Sequence, residues 1–157
     1  MSRVQLALNV TDIEEAVAFY SKMFDTPPAK RREGYANFVV ADPPLKLVLI
    51  ENVGGERLNH LGIEVDSTDE VVEATRRFDA IGFNTDVEEQ STCCYAVQDK
   101  VWVRDPDDAR WEVYTVLADS AAFGTAPVDG GDVCCATTPD MDTQVEVVTL
   151  TTKPGCC

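Results

Sequence analysis

Polar and apolar residues alternate along Gln5-Leu6-Ala7-Leu8-Asn9-Val10, and the alternation returns along His60-Leu61-Gly62-Ile63-Glu64-Val65. A period of two marks a strand with one covered face. A helix start follows each run, because Thr11-Asp12-Ile13-Glu14 and Ser67-Thr68-Asp69-Glu70 both carry the capping-box pattern. Ile13, Ala16, Val17, Tyr20, Met23 and Phe24 then recur at helical spacing. Val71, Ala74, Phe78 and Ile81 do the same in the second copy, and Gly82 is a natural helix stop.

Strand-like pattern resumes after each helix. In the first copy it lies near Tyr35–Val40 and Leu45–Ile50, with Asp42-Pro43-Pro44 as the turn. In the second it lies near Cys94–Val97, Val101–Arg104 and Trp111–Val116, with turns at Gln98-Asp99-Lys100 and Asp105-Pro106-Asp107-Asp108. Short strands are expected near Ala29–Arg32 and Thr85–Glu88. The chain therefore reads as α+β, two paired β-α-β-β-β modules, neither of which covers both faces of its own sheet. Module one spans about residues 1–53 and module two about 56–118, within one domain of residues 1–118. The remainder, 119–157, is rich in Thr, Asp, Gly and Pro, with a short strand expected at Val145–Leu150 and mobility elsewhere.

Charge narrows the function. Against 28 Asp and Glu stand 13 Lys and Arg, a formal net charge of −15. Affinity for nucleic acid comes mainly from basic groups that neutralise phosphates, so no nucleic-acid partner is expected. An anionic membrane surface is disfavoured for the same reason. No apolar run is long enough to span a bilayer, and Met1-Ser2-Arg3-Val4-Gln5-Leu6 lacks the apolar stretch of a signal peptide, so a cytoplasmic location is expected.

Six cysteines form three adjacent pairs, Cys93-Cys94, Cys134-Cys135 and Cys156-Cys157. Cytosolic thiols stay reduced, and neighbouring cysteines bridge each other poorly. Paired reduced thiols suit a soft ion or metalloid.

Metal-ligand candidates come from register. Gln5 shares a face with Arg3, Ala7 and Asn9; His60 shares one with Leu58, Gly62 and Glu64. The two therefore hold equivalent places in equivalent strands, on the less apolar face. Glu112 and Tyr114 face away from Trp111 and Val113 on the last strand. An imidazole, a carboxylate and an amide oxygen would meet between the sheet walls, like a facial triad with one His replaced by Gln. That set suits iron, nickel, manganese or zinc. Taken alone, a single His at a strand start is more often a hydrogen-bonded structural residue, and Gln5 alone reads as a cavity or surface polar group. Glu112 is harder to dismiss, because an inward carboxylate needs a partner.

Paired modules with ligands on equivalent strands resemble the vicinal oxygen chelate superfamily, which includes glyoxalase I and the extradiol dioxygenases. Within it the sequence resembles the organoarsenical carbon–arsenic lyases, some of them called cadmium-induced proteins. The resemblance lies in Val4–Val10, Asn59–Ile63, Thr92-Cys93-Cys94-Tyr95-Ala96, Gln98–Val103 and Trp111-Glu112-Val113-Tyr114. It covers residues 1 to about 117. It implies a curved, partly closed sheet around a metal cavity, with Gln5, His60 and Glu112 as catalytic ligands of Fe(II). It also implies Cys93 and Cys94 as the substrate-binding pair, and dioxygen-dependent cleavage of the C–As bond. Methylarsonous acid would give arsenite and formaldehyde, and trivalent aromatic arsenicals would be further substrates. An isomerase of the glyoxalase I kind uses an acid from each module, and Leu45–Ile50 contains none, Glu51 only following it.

Two thiolates can replace both hydroxyls of methylarsonous acid and leave the methyl free to face a metal. Adjacent strand residues point to opposite faces, so both sulfurs reach one arsenic only if Ser91–Tyr95 is irregular. A movable loop is expected there, closing over the bound arsenical. Lys100 is a candidate electropositive neighbour, although its place in the Gln98-Asp99-Lys100 turn puts it at the surface. Tyr95 is expected to pack. Cys134, Cys135, Cys156 and Cys157 are accessory thiols that would capture arsenic, buffer a soft metal such as cadmium, or be dispensable. The alternative function is a thiol-rich cadmium or arsenite sequestration protein without turnover. The sequence leaves the oligomeric state open, since such modules pair within a chain or between chains.

Overall fold

The computed structural model describes residues 2–124. Val145–Leu150, the four accessory thiols and the mobility expected of the tail lie outside the described residues. Module one comprises β1 (Arg3–Val10), α1 (Ile13–Phe24), β2 (Lys30–Arg32), β3 (Tyr35–Val40) and β4 (Leu45–Glu51). Module two comprises β5 (Leu58–Glu64), α2 (Thr68–Ala80), β6 (Asp86–Cys93), β7 (Ala96–Arg104) and β8 (Arg110–Asp119). All eight strands join one curled half-barrel sheet in the order β2-β3-β4-β1-β5-β8-β7-β6.

That order reads as two copies of one plan back to back. β1 runs parallel to β4, as β5 does to β8, and β1 pairs antiparallel with β5 at the centre. The modules thus pair within one chain. The register makes Gln5 and His60 equivalent: Gln5 stands opposite Gly62, and His60 opposite Ala7.

Both helices lie on one face of the sheet. Ile13 and Val17 of α1 pack against Phe38, Leu47 and Leu49, while Val71 and Ala74 of α2 pack against Val101 and Val113. Each of the Val, Leu, Ile and Phe side chains among these, once buried, contributes about 1.5–3 kcal/mol. Leu6 and Leu8 join the α1 side, which turns Gln5, Ala7 and Asn9 to the opposite, concave face. Met23, read as a core position, is 62% exposed, because the sheet under α1 is already filled by Tyr20 and Phe24.

The helix caps differ in detail from the pattern. In α2, Ser67 accepts from the Glu70 amide and the Glu70 carboxylate returns to the Asp66 amide. In α1 the cap is Asp12, one residue after Thr11, accepting from the Glu15 amide. β4 extends through Glu51, whose carboxylate accepts from the Ile13 amide at the start of α1 and so serves the helix rather than the cavity.

The largest departure is at Gln98-Asp99-Lys100, which forms no turn but lies inside β7. A bulge between Val97 and Gln98 keeps the strand paired on both sides. Two of the three polar residues meet partners prepared for them. Asp99 accepts from Thr68 Oγ1 and the Gln90 amide, and Lys100 meets Glu112. Lys100 is therefore not at the surface: it is 1% exposed.

Candidate metal centre and thiol pair

The three residues chosen by register converge. Gln5, His60 and Glu112 are 4%, 3% and 3% exposed. The Gln5 amide nitrogen lies 3.0 Å from His60 Nε2 and 2.6 Å from Glu112 Oε1, and those two lie 3.2 Å apart. Gly62 makes this possible. It sits between Gln5 and Glu112 in the sheet, and a Cβ there would lie 3.1 Å from Glu112 Cγ and 3.2 Å from Gln5 Cβ.

Hydrogen bonds orient the donors. His60 Nδ1 is 2.7 Å from Asn59 Oδ1, a carbonyl that only accepts, so Nδ1 carries the proton and Nε2 keeps its lone pair. Asn59 donates to Asn9 Oδ1, and Asn9 donates to the Glu56 carbonyl. Trp102 packs edge-on against the imidazole at 5.4 Å. The Gln5 amide gives its two hydrogens to His60 Nε2 and Glu112 Oε1, while its Oε1 accepts from Tyr114.

This donor set fits a metal ion. Metal–donor bonds of about 2.1 Å at right angles put neighbouring donors about 3 Å apart, the spacing found here. The amide NH2 group occupies the corner that an amide oxygen would take. Turning the Gln5 amide over presents Oε1 to the ion and gives Nε2 to the Tyr114 oxygen, whose hydroxyl then donates to Glu64 Oε2 at 3.3 Å. Among the described residues no three His, Cys, Asp or Glu side chains converge, and the third donor here is an amide.

Charge is balanced locally. Burial alone would raise the Glu112 carboxyl, but the opposing interactions, the Lys100 ammonium foremost, outweigh it, and Glu112 is held well below the usual carboxylate range. Burial would likewise lower Lys100, but Glu112 first and then Cys93 hold its ammonium firmly protonated. Lys100 thus acts on both the carboxylate and the thiols. Burial, followed by Glu112 and Glu64, pushes the Tyr114 phenol up, so it remains a donor.

The expected irregularity near Ser91–Tyr95 is narrower than a loop. Ser91–Cys93 stay in β6, and only Cys94 and Tyr95 leave the ladder, with φ of 55° and 62°. This two-residue turn breaks the alternation that would send adjacent side chains to opposite faces. Cys93 Sγ and Cys94 Sγ lie 3.2 Å apart, and both are free of any disulfide. The turn is anchored, since the Tyr95 carbonyl accepts from Lys30 Nζ and the Ser120 amide. Tyr95 packs, as expected, in an aromatic trio with Tyr35 and Phe123. Gly124, at φ +129°, passes so close that a Cβ would lie 2.3 Å from the Thr92 carbonyl.

A cavity of about 200 Å³ holds both groups, lined by Gln5, His60 and Glu112 and by Cys93 and Cys94. Gln98, Lys100, Tyr35, Asn37, Lys46 and Val48 complete much of its wall. Val48 pairs with Ala7 as Glu112 pairs with Gly62, so it takes the place in module one that Glu112 takes in module two. Sequence reasoning missed Gly62 as a spacer, Lys100 as a buried cation and Asn59 as the orienting partner of His60. Only Asn59 left a signal, as a polar neighbour of the one histidine.

The chain is similar to several known proteins. Cadmium-induced protein CadI of Mycobacterium tuberculosis is 57% identical over 142 residues, covering 86% of this chain and 93% of that protein. The trivalent organoarsenical cleaving enzyme of Thermomonospora curvata is 52% identical over 142 residues, covering 89% of this chain and 91% of that protein. The Mn(II)-bound glyoxalase of Novosphingobium aromaticivorans superposes with a TM-score of 0.56 at 20% identity, over 77% of this chain and 42% of that one, a likeness of fold. Residues 3–113 match the family model for the glyoxalase, bleomycin resistance protein and dioxygenase superfamily. With its two modules, its equivalent strands and these relatives, the chain belongs to the glyoxalase/bleomycin resistance protein/dioxygenase superfamily.

Proposed function

We propose that this protein cleaves the C–As bond of trivalent organoarsenicals, converting methylarsonous acid to arsenite and also accepting trivalent aromatic arsenicals. In this reading Gln5, His60 and Glu112 hold Fe(II), and Cys93 and Cys94 hold the arsenic. Residues 1–118 form the catalytic domain and 119–157 a tail, in a cytoplasm that keeps the thiols reduced. One observation carries the reading: the carboxylate–imidazole–amide triad and two sulfurs 3.2 Å apart line the same cavity. The 52% identity to a trivalent organoarsenical cleaving enzyme supports it.

The overall reaction balances without a further reductant: one methylarsonous acid and one dioxygen give one arsenous acid and one formaldehyde. Fe(II), when bound, would supply the redox chemistry that lets dioxygen react with the carbon on arsenic. The chain's own residues do the rest. Cys93 and Cys94 exchange with the two hydroxyls of methylarsonous acid and leave its methyl group directed into the cavity. Lys100 favours the thiolate forms and keeps Glu112 ionised, so that both bind as anions. Asn59, accepting from His60 Nδ1, holds the ring with Nε2 toward the cavity. Val48, where a fourth acidic ligand would stand, leaves that side open and argues against isomerisation of the glyoxalase kind.

The test is stoichiometry. Protein loaded with Fe(II) and given methylarsonous acid should release arsenite and formaldehyde in equal amounts and consume one dioxygen for each. Arsenical bound tightly by the Cys93–Cys94 pair, with no formaldehyde formed, would favour the sequestration reading.

A further inference from the structure

Among the described residues, two buried polar atoms of the β6–β7 hairpin have no hydrogen-bond partner: Gln98 Oε1 and Ser91 Oγ. They belong to one cross-strand pair, Ser91 on β6 opposite Gln98 on β7, so both project from the same face of the hairpin. Gln98 is 6% exposed and lines the cavity. Cys93 follows Ser91 by two residues on that face, and Lys100 follows Gln98 by two. Leaving a buried acceptor unsatisfied costs about 1–3 kcal/mol, so an orphan facing a cavity marks a place for a hydrogen-bond donor.

We propose that Gln98, assisted by Ser91, forms a subsite for the oxygen bound to arsenic while the cysteines exchange with it. This rests on the reading of Cys93 and Cys94 as the arsenic-binding pair. Each exchange forms one S–As bond and breaks one As–O bond, and the departing hydroxyl leaves as water with a proton from the thiol, or from solvent where the thiol is already ionised; nothing is oxidised or reduced. The departing oxygen carries the hydrogen that Gln98 Oε1 accepts, and Ser91 Oγ can donate to the same oxygen. Release of arsenite runs the same steps backwards, with water entering. Gln98 is therefore a positioning residue for capture and release alike, and it lowers the barrier in both directions.

That reciprocity separates the role from a structural one. In iron-free protein, Gln98→Leu should slow the binding of methylarsonous acid about tenfold, the worth of one hydrogen bond in the transition state. It should slow its release by the same factor and so leave Kd unchanged. Gln98→Glu, which keeps an acceptor, should recover most of the rate. Alkylation of Cys93 and Cys94 by iodoacetamide involves no arsenic-bound oxygen and should proceed at the wild-type rate in Gln98→Leu. Equal binding rates in wild type and Gln98→Leu would overturn the proposal, as would a change in Kd or parallel slowing of alkylation. Failure of the parent reading looks different: wild-type protein would then bind methylarsonous acid no better than Cys93→Ser.

Discussion

Lys100 and Glu112 form an enclosed ion pair, with Nζ 2.9 Å from Oε2 and side chains 1% and 3% exposed. Glu112 Oε1 is left to face His60 and Gln5. One carboxylate oxygen thus holds the Lys100 ammonium, and the other faces the imidazole and the amide; in the proposed function it is the one that binds metal.

Removing one partner of such a pair strands the other. Lys100→Met should destabilise the metal-free protein by about 3–5 kcal/mol at neutral pH, measured by chemical denaturation. The pH dependence has a definite sign. In the wild type the Glu112 carboxyl sits below its usual value of 4.5, so its contribution is complete above that pH and is lost as pH falls. In the variant, burial without Lys100 raises the same group, so the folded state gains relative stability as pH falls. The gap between the two proteins should therefore narrow as pH falls, above about pH 4.5 through the variant's gain and below it through the wild type's loss. A constant gap would show that Glu112 is not the group stranded.

Gly62 separates Gln5 from Glu112, and a Cβ there would crowd both at 3.2 and 3.1 Å. Gly62→Ala should lower metal affinity about 10–100-fold, the usual cost of disturbing a ligand's support. Titration calorimetry with Fe(II) under anaerobic conditions reads this directly. Unchanged affinity would mean that the two side chains are not brought together on a common ion.

Val48 stands where module symmetry would place a second acid. Val48→Glu should tighten binding of divalent metal at least tenfold by adding a fourth protein ligand. It should also abolish C–As cleavage by filling a position that dioxygen or the substrate needs. Retained cleavage would show that this side of the ion is not used.

The two halves of the site should separate by mutation. Cys93→Ser leaves one sulfur where two act together, and losing the second attachment should weaken methylarsonous acid binding by about 10²-fold or more. Metal affinity should stay unchanged. Gln5→Ala should do the reverse, removing turnover while sparing arsenical binding. Both losses in one variant would mean that the triad and the thiols are not independent sites.

The repeat is what made the fold and triad legible. Gln5 and His60 hold the same place in strands of the same pattern, and the alternation that buries Leu6 and Leu8 toward α1 turns both side chains to the concave face. The Gln98-Asp99-Lys100 run was misread because three consecutive polar residues look like a turn when their partners are distant in sequence. Thr68 is 31 residues from Asp99 and Glu112 is 12 from Lys100. Local pattern holds no record of such contacts. Cys93-Cys94 stood out by composition, but the closeness of its sulfurs depends on the left-handed backbone of Cys94 and Tyr95, where no glycine marks the turn.

The central claim is tested most directly by arsenic speciation in a single turnover. Protein loaded with Fe(II) without oxygen is mixed with methylarsonous acid and then exposed to air, beside an iron-free control and a control kept anaerobic. The account predicts arsenite only where iron and dioxygen are both present. Methylarsonous acid recovered intact from the complete mixture would contradict it.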